Sequence, residues 1–284
     1  MGEKNNLSVS VVIPTLGGEE LKKTIAHLNS GSVKPKEILI CIPVEYSSKV
    51  DDLKHENVKV IATKSKGQVV QRAIGFQHAL CDYVLQIDDD ITLAFECIEK
   101  LLGALVLDEK SVVAPVMINI STGCSAYSIN GNAIVRKIYY FLMNGFDGYQ
   151  PGKIDKAGTA VGVNVDDFPV GVLETEWLPG GCVMHHRKNL ILEDFYPFIG
   201  KAFNEDVIHS VLLRKGGRKL FIVAKATCYF EVQSIIFEGN IKNIWKDYVS
   251  RRYAMKLENK HCFFRVYVYY FISLMSLMLK KWFH

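Results

Sequence analysis

Apolar runs and helical spacings alternate along the first 116 residues of the chain. Short apolar runs typical of buried strands occur at Val9–Pro14, 37–42, 58–62, Tyr83–Ile87 and 112–116. Between them, apolar residues recur at the three- to four-residue spacing of helices, over 19–29, 67–80 and 94–105. Strands separated by such helices are typically parallel and joined by right-handed crossovers. The pattern predicts an α/β fold with a mainly parallel central sheet flanked by helices.

This regular pattern stops in the middle of the chain, between Asn119 and Glu176, where glycines recur. One apolar piece, residues 134–143, predicts a helix. The remainder is either a wall and cover for a binding site or a plain surface insertion. Regular structure returns with a strand at 174–178, a helix over 204–213 with Asn204 as its N-cap, and strands at 220–223 and 227–230.

The last part of the chain predicts two helices, over 234–257 and 261–282. Residues 266–279 carry no charge, but this stretch is shorter than the roughly 20 apolar residues that a membrane-spanning helix needs. Residues 239–284 contain nine Lys/Arg and two Asp/Glu, a net +7, whereas the whole chain has a net charge of +4. We therefore expect an interfacial helix that meets an anionic membrane surface. A helix packed on the domain or in a dimer, and a true membrane span, remain alternatives.

Composition restricts the class of protein. The chain is 49% hydrophobic and 23% charged, which is typical of a globular protein. Its seven cysteines are scattered and form no CxxC pair, which favours a reducing compartment over a disulfide framework or a structural zinc site. The first six residues are polar and lack the apolar core of a signal peptide. We expect a cytoplasmic protein that binds no nucleic acid.

Three consecutive carboxylates, Asp88, Asp89 and Asp90, follow directly after the apolar run Tyr83–Ile87. In open α/β sheets the carboxyl ends of the strands form the ligand-binding edge. Adjacent acids repel one another, and a divalent cation converts that repulsion into coordination, with substrate phosphates as further ligands. The alternative is a solvated acidic turn that caps a helix beginning near Thr92.

Five motifs in a fixed order complete the pattern: residues 11–15, 66–72, 88–90, 177–182 and 204–206. Together they resemble the family 2 glycosyltransferases with the GT-A fold, over about residues 8 to 232. The resemblance implies transfer of a sugar, of the hexosyltransferase type, from a nucleoside diphosphate sugar to an acceptor hydroxyl, with inversion at the anomeric carbon.

The resemblance also implies donor-binding residues. Pro14, Thr15 and Leu16 would lie beside the nucleoside, and Lys66 and Arg72 beside the diphosphate, for which a guanidinium fork is well suited. Gln71 would also belong to the donor site. Asp90 would be the main ligand of Mn²⁺ or Mg²⁺, with Asp88 on the ribose or a metal-bound water and Asp89 beside them. Many relatives place an acid after the second strand to contact the nucleobase, and Glu45 is the nearest acid here.

On the acceptor side, Asp206 matches the catalytic base of the family, which takes the proton from the acceptor hydroxyl. Glu205 would orient the acceptor or favour the helix start through its charge. Trp177, Gly180 and Gly181 would shape the pocket of the sugar and acceptor. Many relatives have a second metal ligand, a histidine, near the last strand. Here Glu231 or phosphate oxygens would have to replace it.

These expectations divide the chain into a glycosyltransferase domain, 1–232, and a basic helical tail, 233–284. The domain would consist of a nucleotide-sugar half, 8–116, and an acceptor half, 117–232. The expected partners are a nucleoside diphosphate sugar, a glycan or lipid-linked acceptor of surface polysaccharide synthesis, and the inner face of the plasma membrane, with an oligomer possible. The alternatives are a sugar-phosphate nucleotidyltransferase and an inactive membrane-bound scaffold of the same fold.

Overall fold

The structure is a computed structural model and describes residues 7–128, 132–165, 168, 171–231, 241–259 and 262–282. Its strands are β1 (Val9–Pro14), β2 (Glu37–Pro43), β3 (Val58–Thr63), β4 (Tyr83–Ile87), β5 (Thr92–Leu93), β6 (Ser111–Asn119), β7 (Val172–Thr175), β8 (Cys182–His186) and β9 (Lys219–Phe230). Its helices are α1 (Leu21–Ser30), α2 (Gln68–His78), α3 (Cys97–Leu105), α4 (Ala133–Asn144), α5 (Glu205–Lys215), α6 (Ile241–Leu257) and α7 (Phe263–Trp282).

One sheet runs through the molecule in the order β3-β2-β1-β4-β8-β6-β9-β5, and β7 also pairs with β9. The first four strands in this order are parallel, as the sequence predicts. The antiparallel strand β8 then pairs with both β4 and β6. The second half is therefore mixed: β6 and β9 are parallel, whereas β5 and β7 are antiparallel to β9.

Within the parallel half, β1, β2 and β4 are buried on both faces, which explains their continuous apolar runs, whereas the edge strand β3 is partly exposed. Every residue of β1 and β2 is buried. Helix α2 lies directly on these strands at Gly75, where an added Cβ would come within 2.4 Å of Val12 Cγ1 and 2.6 Å of Cys41 Sγ. This close approach packs the second half of α2 directly against β1 and β2.

The last strand of the sheet differs from the prediction. Two separate strands were expected at 220–223 and 227–230, but β9 is a single strand from Lys219 to Phe230. Its pairing register with β6 shifts between Pro115 and Val116, where proline removes a ladder donor and a bulge is tolerated. The bulge lets β9 pair with β7 along its first part and with β5 along its second part.

The two tail helices pack on the rest of the protein. Helix α6 contacts α5, and α7 contacts α4. Ala254, Met255, Val266 and Tyr270 are buried in these contacts. Residues 234–240 of the predicted first tail helix lie outside the described residues. In the part of the chain that the structure describes, no helix has the length and apolar content needed to cross a bilayer. The domain division at residue 232 stays a prediction.

Candidate active site

A cavity of about 770 Å³ opens at the carboxyl ends of β1 and β4. Two motifs predicted from the sequence line it, at residues 14–16 and 88–90, together with the beginning of α2. The opposite wall is the loop segment 199–202, which precedes α5. The parallel strands thus deliver side chains from distant parts of the chain to one concave edge, the usual ligand position in such sheets.

The end of β1 is held by side-chain hydrogen bonds. The Thr15 hydroxyl donates to Asp89 Oδ2 and accepts from the backbone N–H of Gly17, at 2.9 Å. Gln71, which is buried on α2, donates through Nε2 to the carbonyl oxygens of Thr15 and Cys41, at 2.8 and 2.6 Å. Gln71 therefore ties the ends of β1 and β2 together beneath the cavity.

The three aspartates have different environments. Asp88 Oδ1 accepts from Gln68 Nε2 at 2.8 Å and from Arg72 Nη2 at 2.6 Å. Asp89 is bound by Thr15, and burial raises its pKa. Asp90 is the exposed member. Burial of its carboxyl group and the charges of Asp88 and Asp89 raise its pKa to about 6. Clustered charge of this kind is relieved by a cation.

The donor chemistry of this edge fits a divalent cation that takes several ligands from its substrate. Asp90 offers a carboxylate, whereas Asp88 already accepts two hydrogen bonds on one oxygen. Within the described ranges, no group of three or more His, Cys, Asp and Glu side chains could hold a metal ion. Oxygen ligands from a bound phosphate would complete the coordination shell.

Arg72 joins the acidic triplet to the start of α5. Its guanidinium is buried and donates to Asp88 Oδ1 at 2.6 Å and to Glu205 Oε1 at 2.7 Å. The sequence predicts that Arg72 faces a diphosphate. In this structure Arg72 does not line the cavity, and a bridge between two carboxylates takes the place of that contact. The physical reason is that a guanidinium fork satisfies carboxylates as well as phosphates.

The backbone of Gly180 and Gly181 lies between the two acidic groups. A Cβ added to Gly180 would lie 2.7 Å from Glu205 Oε1 and 3.3 Å from Asp206 Cβ. A Cβ added to Gly181 would lie 3.2 Å from Asp88 Oδ2. The backbone N–H of Asp88 donates to the Gly181 carbonyl at 2.9 Å. Side chains at either position would push the two acidic groups apart.

Asp206 stands in the first turn of α5, where its Oδ1 accepts the backbone N–H of Val207 at 2.8 Å. Burial, followed by the charge of Glu205, raises the pKa of Asp206 to about 7, although the charge of Arg72 opposes the shift. A carboxylate with a pKa near neutrality is suited to accept a proton and release it again.

Asn204, immediately before α5, does not act as the predicted N-cap. Its backbone is left-handed, with φ 54°, and its side chain makes no cap hydrogen bond. Its Nδ2 instead donates to Asp247 Oδ1 at 2.8 Å and to Ser250 Oγ at 3.0 Å, both on α6. The tail helix α6 thus fixes the backbone that leads into Glu205 and Asp206.

Comparison with known proteins identifies this arrangement. Residues 10–166, more than half of the chain, match the family described as Glycosyl transferase family 2. The chain belongs to this family. The match contains the cavity strands, α2 and the acidic triplet, whereas the motifs at 177–182 and 204–206 lie outside it.

A solved structure shows the same fold. The crystal structure of GalNAc-T7 with UDP, GalNAc and Mn²⁺ aligns with a TM-score of 0.60 and 19% sequence identity. The alignment covers 84% of this chain and 45% of that one, so the family 2 chain described here spans less than half of that protein's length. A search of curated protein sequences found no match. The predicted GT-A-type α/β fold with a C-terminal helical tail is confirmed.

The structure brings most of the predicted donor residues of this family 2 glycosyltransferase to the cavity wall: Pro14, Thr15, Leu16, Lys66, Gln71, Asp88, Asp89 and Asp90. Lys66 Nζ lies 4.8 Å from the centre of the Tyr46 ring and donates to its hydroxyl. Glu45 is exposed in the 3-10 turn after β2 and does not line the cavity. Its predicted nucleobase contact has no support from this placement.

Trp177 and the other acceptor-side residues lie deeper than the sequence suggests. Trp177 is buried, donates through Nε1 to the Val161 carbonyl at 3.0 Å, and packs edge-on against Tyr127 at 5.8 Å between ring centres. It belongs to the apolar cluster beneath α5, with Val207 and Ile208. Glu231 is exposed just beyond β9 and does not line the cavity.

Sequence reasoning missed two parts of the site. Gln68 contacts Asp88, and the segment 199–202 forms a wall of the cavity. Ile199 in that segment is 94% exposed, and Gly200 has φ 96°. In the sequence, the only available signal was the pair Ile199-Gly200. It was not recognised because this segment has no periodic pattern.

Proposed function

We propose that this chain is an inverting glycosyltransferase that moves a sugar from a nucleoside diphosphate sugar to an acceptor hydroxyl. The observation that carries the proposal is the joining of two acidic groups, Asp88–Asp90 in the cavity wall and Glu205–Asp206 behind it, by Arg72 and the Gly180–Gly181 backbone. One group suits a charged donor and the other suits a hydroxyl that must lose a proton. The family 2 match supports the reaction class.

The donor would occupy the cavity with its nucleoside beside Pro14, Thr15 and Leu16 and its diphosphate towards Lys66. A divalent cation, Mn²⁺ or Mg²⁺, would be held by Asp90 with Asp88 and would neutralise charge on the leaving diphosphate. The GalNAc-T7 crystal structure, which contains UDP and Mn²⁺, supports this choice of donor and cation. Gln68 and Arg72 would keep Asp88 in position.

Transfer would follow from the position of Asp206. The acceptor oxygen attacks the anomeric carbon from the face opposite the diphosphate, so the new C–O bond forms as the bond to the diphosphate breaks. Asp206 takes the hydroxyl proton, and the configuration at the anomeric carbon inverts. A cation held by Asp90 and Asp88 would stabilise the charge on the departing diphosphate. Glu205 pairs with Nη1 of Arg72, whose Nη2 binds Asp88.

The acceptor is proposed to be lipid-linked, such as a precursor of a surface polysaccharide, presented at the inner face of the plasma membrane. The support is the concentration of positive charge in residues 239–284, with nine Lys/Arg and two Asp/Glu. Basic residues near a membrane surface attract anionic lipids and diphosphate head groups alike. The protein would then be peripheral on that membrane.

The experiment has two stages. A thermal-shift screen of nucleoside diphosphate sugars, with and without Mn²⁺, identifies the donor because a bound ligand stabilises the folded state. Release of the nucleoside diphosphate then measures turnover, with water as acceptor in the absence of a glycan. Asp206→Asn should keep the donor-dependent shift and lose about 10²- to 10⁴-fold in turnover.

The matched control is Glu193→Gln, an exposed acid in the loop before α5, which should behave like the unmodified protein. Normal turnover by Asp206→Asn would remove Asp206 from the base role. If no nucleoside diphosphate sugar shifts the melting temperature, the proposed donor class is wrong.

A further inference from the structure

Helices α4 and α7 lie side by side although they are far apart in the sequence. Arg265, in the first turn of α7, donates through Nη1 to the Phe141 carbonyl at 2.8 Å and also to the Leu142 carbonyl. A Cβ added to Gly145, just after α4, would lie 2.9 Å from Arg265 Nη2. Arg265 therefore binds carbonyls of the last turn of α4 and joins the two helices.

Helix α4 exposes one apolar face. Ile134, Ile138 and Phe141 follow the spacing of a single helix face, and 67%, 55% and 47% of their surfaces are exposed. Val135 beside them is 64% exposed, and Phe146 in the following turn is 99% exposed. In a helix that belongs to a packed domain, such a face is normally turned inward.

Helix α7 exposes a second apolar face. Its exposed large side chains are Phe264, Tyr267, Phe271, Leu274, Met275 and Met278. These positions also follow one face of a helix. Together, the two helices carry nearly half of the exposed large hydrophobic side chains in the described part of the chain. Exposed apolar faces of this extent on two neighbouring helices mark an interaction surface.

The charges within the two helices have one sign. Helix α4 contains Arg136 and Lys137 and no acid, and α7 contains three basic residues and no acid. Asp147, which follows Phe146, is paired with Lys156. Trp245, on the neighbouring helix α6, is 64% exposed. Apolar side chains bordered by basic and aromatic residues are the composition of helices that lie in a membrane interface.

We propose that the exposed faces of α4 and α7 form one surface, the two-helix platform, that docks on an anionic lipid bilayer. A second copy of this chain fits less well, because a symmetric contact between two such platforms would bring like charges together. A bilayer offers apolar depth to the side chains and negative charge to the rim. The inference extends the membrane association proposed above, since half of the surface belongs to the catalytic domain.

The platform also orients the site. Helix α4 begins a few residues after Tyr127, whose ring packs on Trp177, and Trp177 shares an apolar cluster with Val207, the neighbour of Asp206. Docking through α4 would turn this side of the molecule towards the lipid surface. A lipid-linked acceptor could then reach Asp206 without leaving the membrane.

The test uses the full chain and flotation with vesicles of phosphatidylcholine, with or without phosphatidylglycerol. We expect binding to the mixed vesicles and weak binding to phosphatidylcholine alone. Ile138→Asp on α4 and Phe271→Asp on α7 should each weaken binding by about tenfold or more, since each removes an apolar side chain that docking would bury in the bilayer and adds repulsion from anionic lipid. Leu107→Asp, at a site 81% exposed outside the platform, should bind like the unmodified chain.

Circular dichroism melting should show all three variants folded, since the replaced side chains are exposed. Unchanged vesicle binding by Ile138→Asp would show that α4 is not part of the docking surface and would overturn the proposal. Absence of vesicle binding, with a dimer that Ile138→Asp dissociates, would assign the face to protein contacts instead. Donor thermal shifts do not depend on the platform, so failure here is distinguishable from failure of the proposed reaction.

Discussion

The two acidic groups of the site differ in what holds them. Asp88, Asp89 and Asp90 follow a buried strand, and their partners Thr15 and Gln68 come from the same parallel half of the sheet. Glu205 and Asp206 follow a left-handed residue that is held by the tail. The first group is therefore a property of the local fold, whereas the second depends on a segment that sequence analysis had set apart as a membrane tail.

The tail contacts behind Asn204 form a buried polar network. Asp247 accepts from Asn204, from Arg251 and from the Tyr270 hydroxyl. Arg251 also donates to Thr159 Oγ1 at 2.9 Å, in the loop before β7. Each polar group has a partner from another element, so α6 and α7 fix the backbone before Asp206. The tail is thus part of the catalytic architecture as well as a candidate membrane surface.

Arg72 is the link between the two groups, and its removal should have the largest effect. Arg72→Met leaves Asp88 and Glu205 without their buried partner, which should lower the free energy of unfolding by about 3–5 kcal/mol. Urea unfolding measures the loss. The control is Lys156→Met, which removes the ion pair between Lys156 and Asp147. Because both side chains are about half exposed, the free energy of unfolding should fall by about 1 kcal/mol or less. Equal losses in the two variants would show that the link is not structural.

Asn204 tests the dependence of Asp206 on the tail. Asn204→Ala removes the hydrogen bonds to Asp247 and Ser250 and puts a poorly suited residue at φ 54°. Displacement of Asp206 should lower kcat by about 10- to 100-fold while the KM for the donor changes little. Asn204→Gly tolerates the left-handed backbone but lacks the side-chain hydrogen bonds, and it should show most of the same loss of kcat.

Asn259 is the matched control, because it is the other described residue besides glycine with a left-handed backbone, at φ 56°. Asn259→Ala should lose a comparable amount of stability and keep its kcat. If Asn259→Ala and Asn204→Ala lose kcat equally, the effect is general destabilisation and the tail does not position Asp206.

The difference between the two groups also explains what the sequence could predict. Strands β1, β2 and β4 have continuous apolar runs because they are buried on both faces, so their ends, and the triplet after β4, could be located from the pattern. The pairing of Arg72 with Glu205 could not be predicted from the sequence, because Glu205 lies 133 positions away and a guanidinium suits phosphate and carboxylate equally.

Asn204 shows a second limit. Asparagine before two acids is a reasonable N-cap signature, but asparagine also tolerates the left-handed region. Here the hydrogen bond to Asp247, 43 positions later, stabilises the left-handed conformation. The sequence also could not predict that the apolar face of α4 is exposed, since an amphipathic pattern indicates an apolar face but not which element covers it.

The pH dependence of sugar transfer tests Asp206 separately from the acidic triplet, and it needs the smallest change to the protein. Because the pKa of Asp206 is raised to about 7, the base is ionised above this pH and protonated below it. Turnover should therefore fall by about tenfold per pH unit as the pH decreases below about 7. Glu205→Gln removes the charge that helps to raise this pKa and should move the falling limb to lower pH. The exposed substitution Glu193→Gln should leave the limb in place. A limb that does not move in Glu205→Gln would mean that another group than Asp206 titrates in the pH profile.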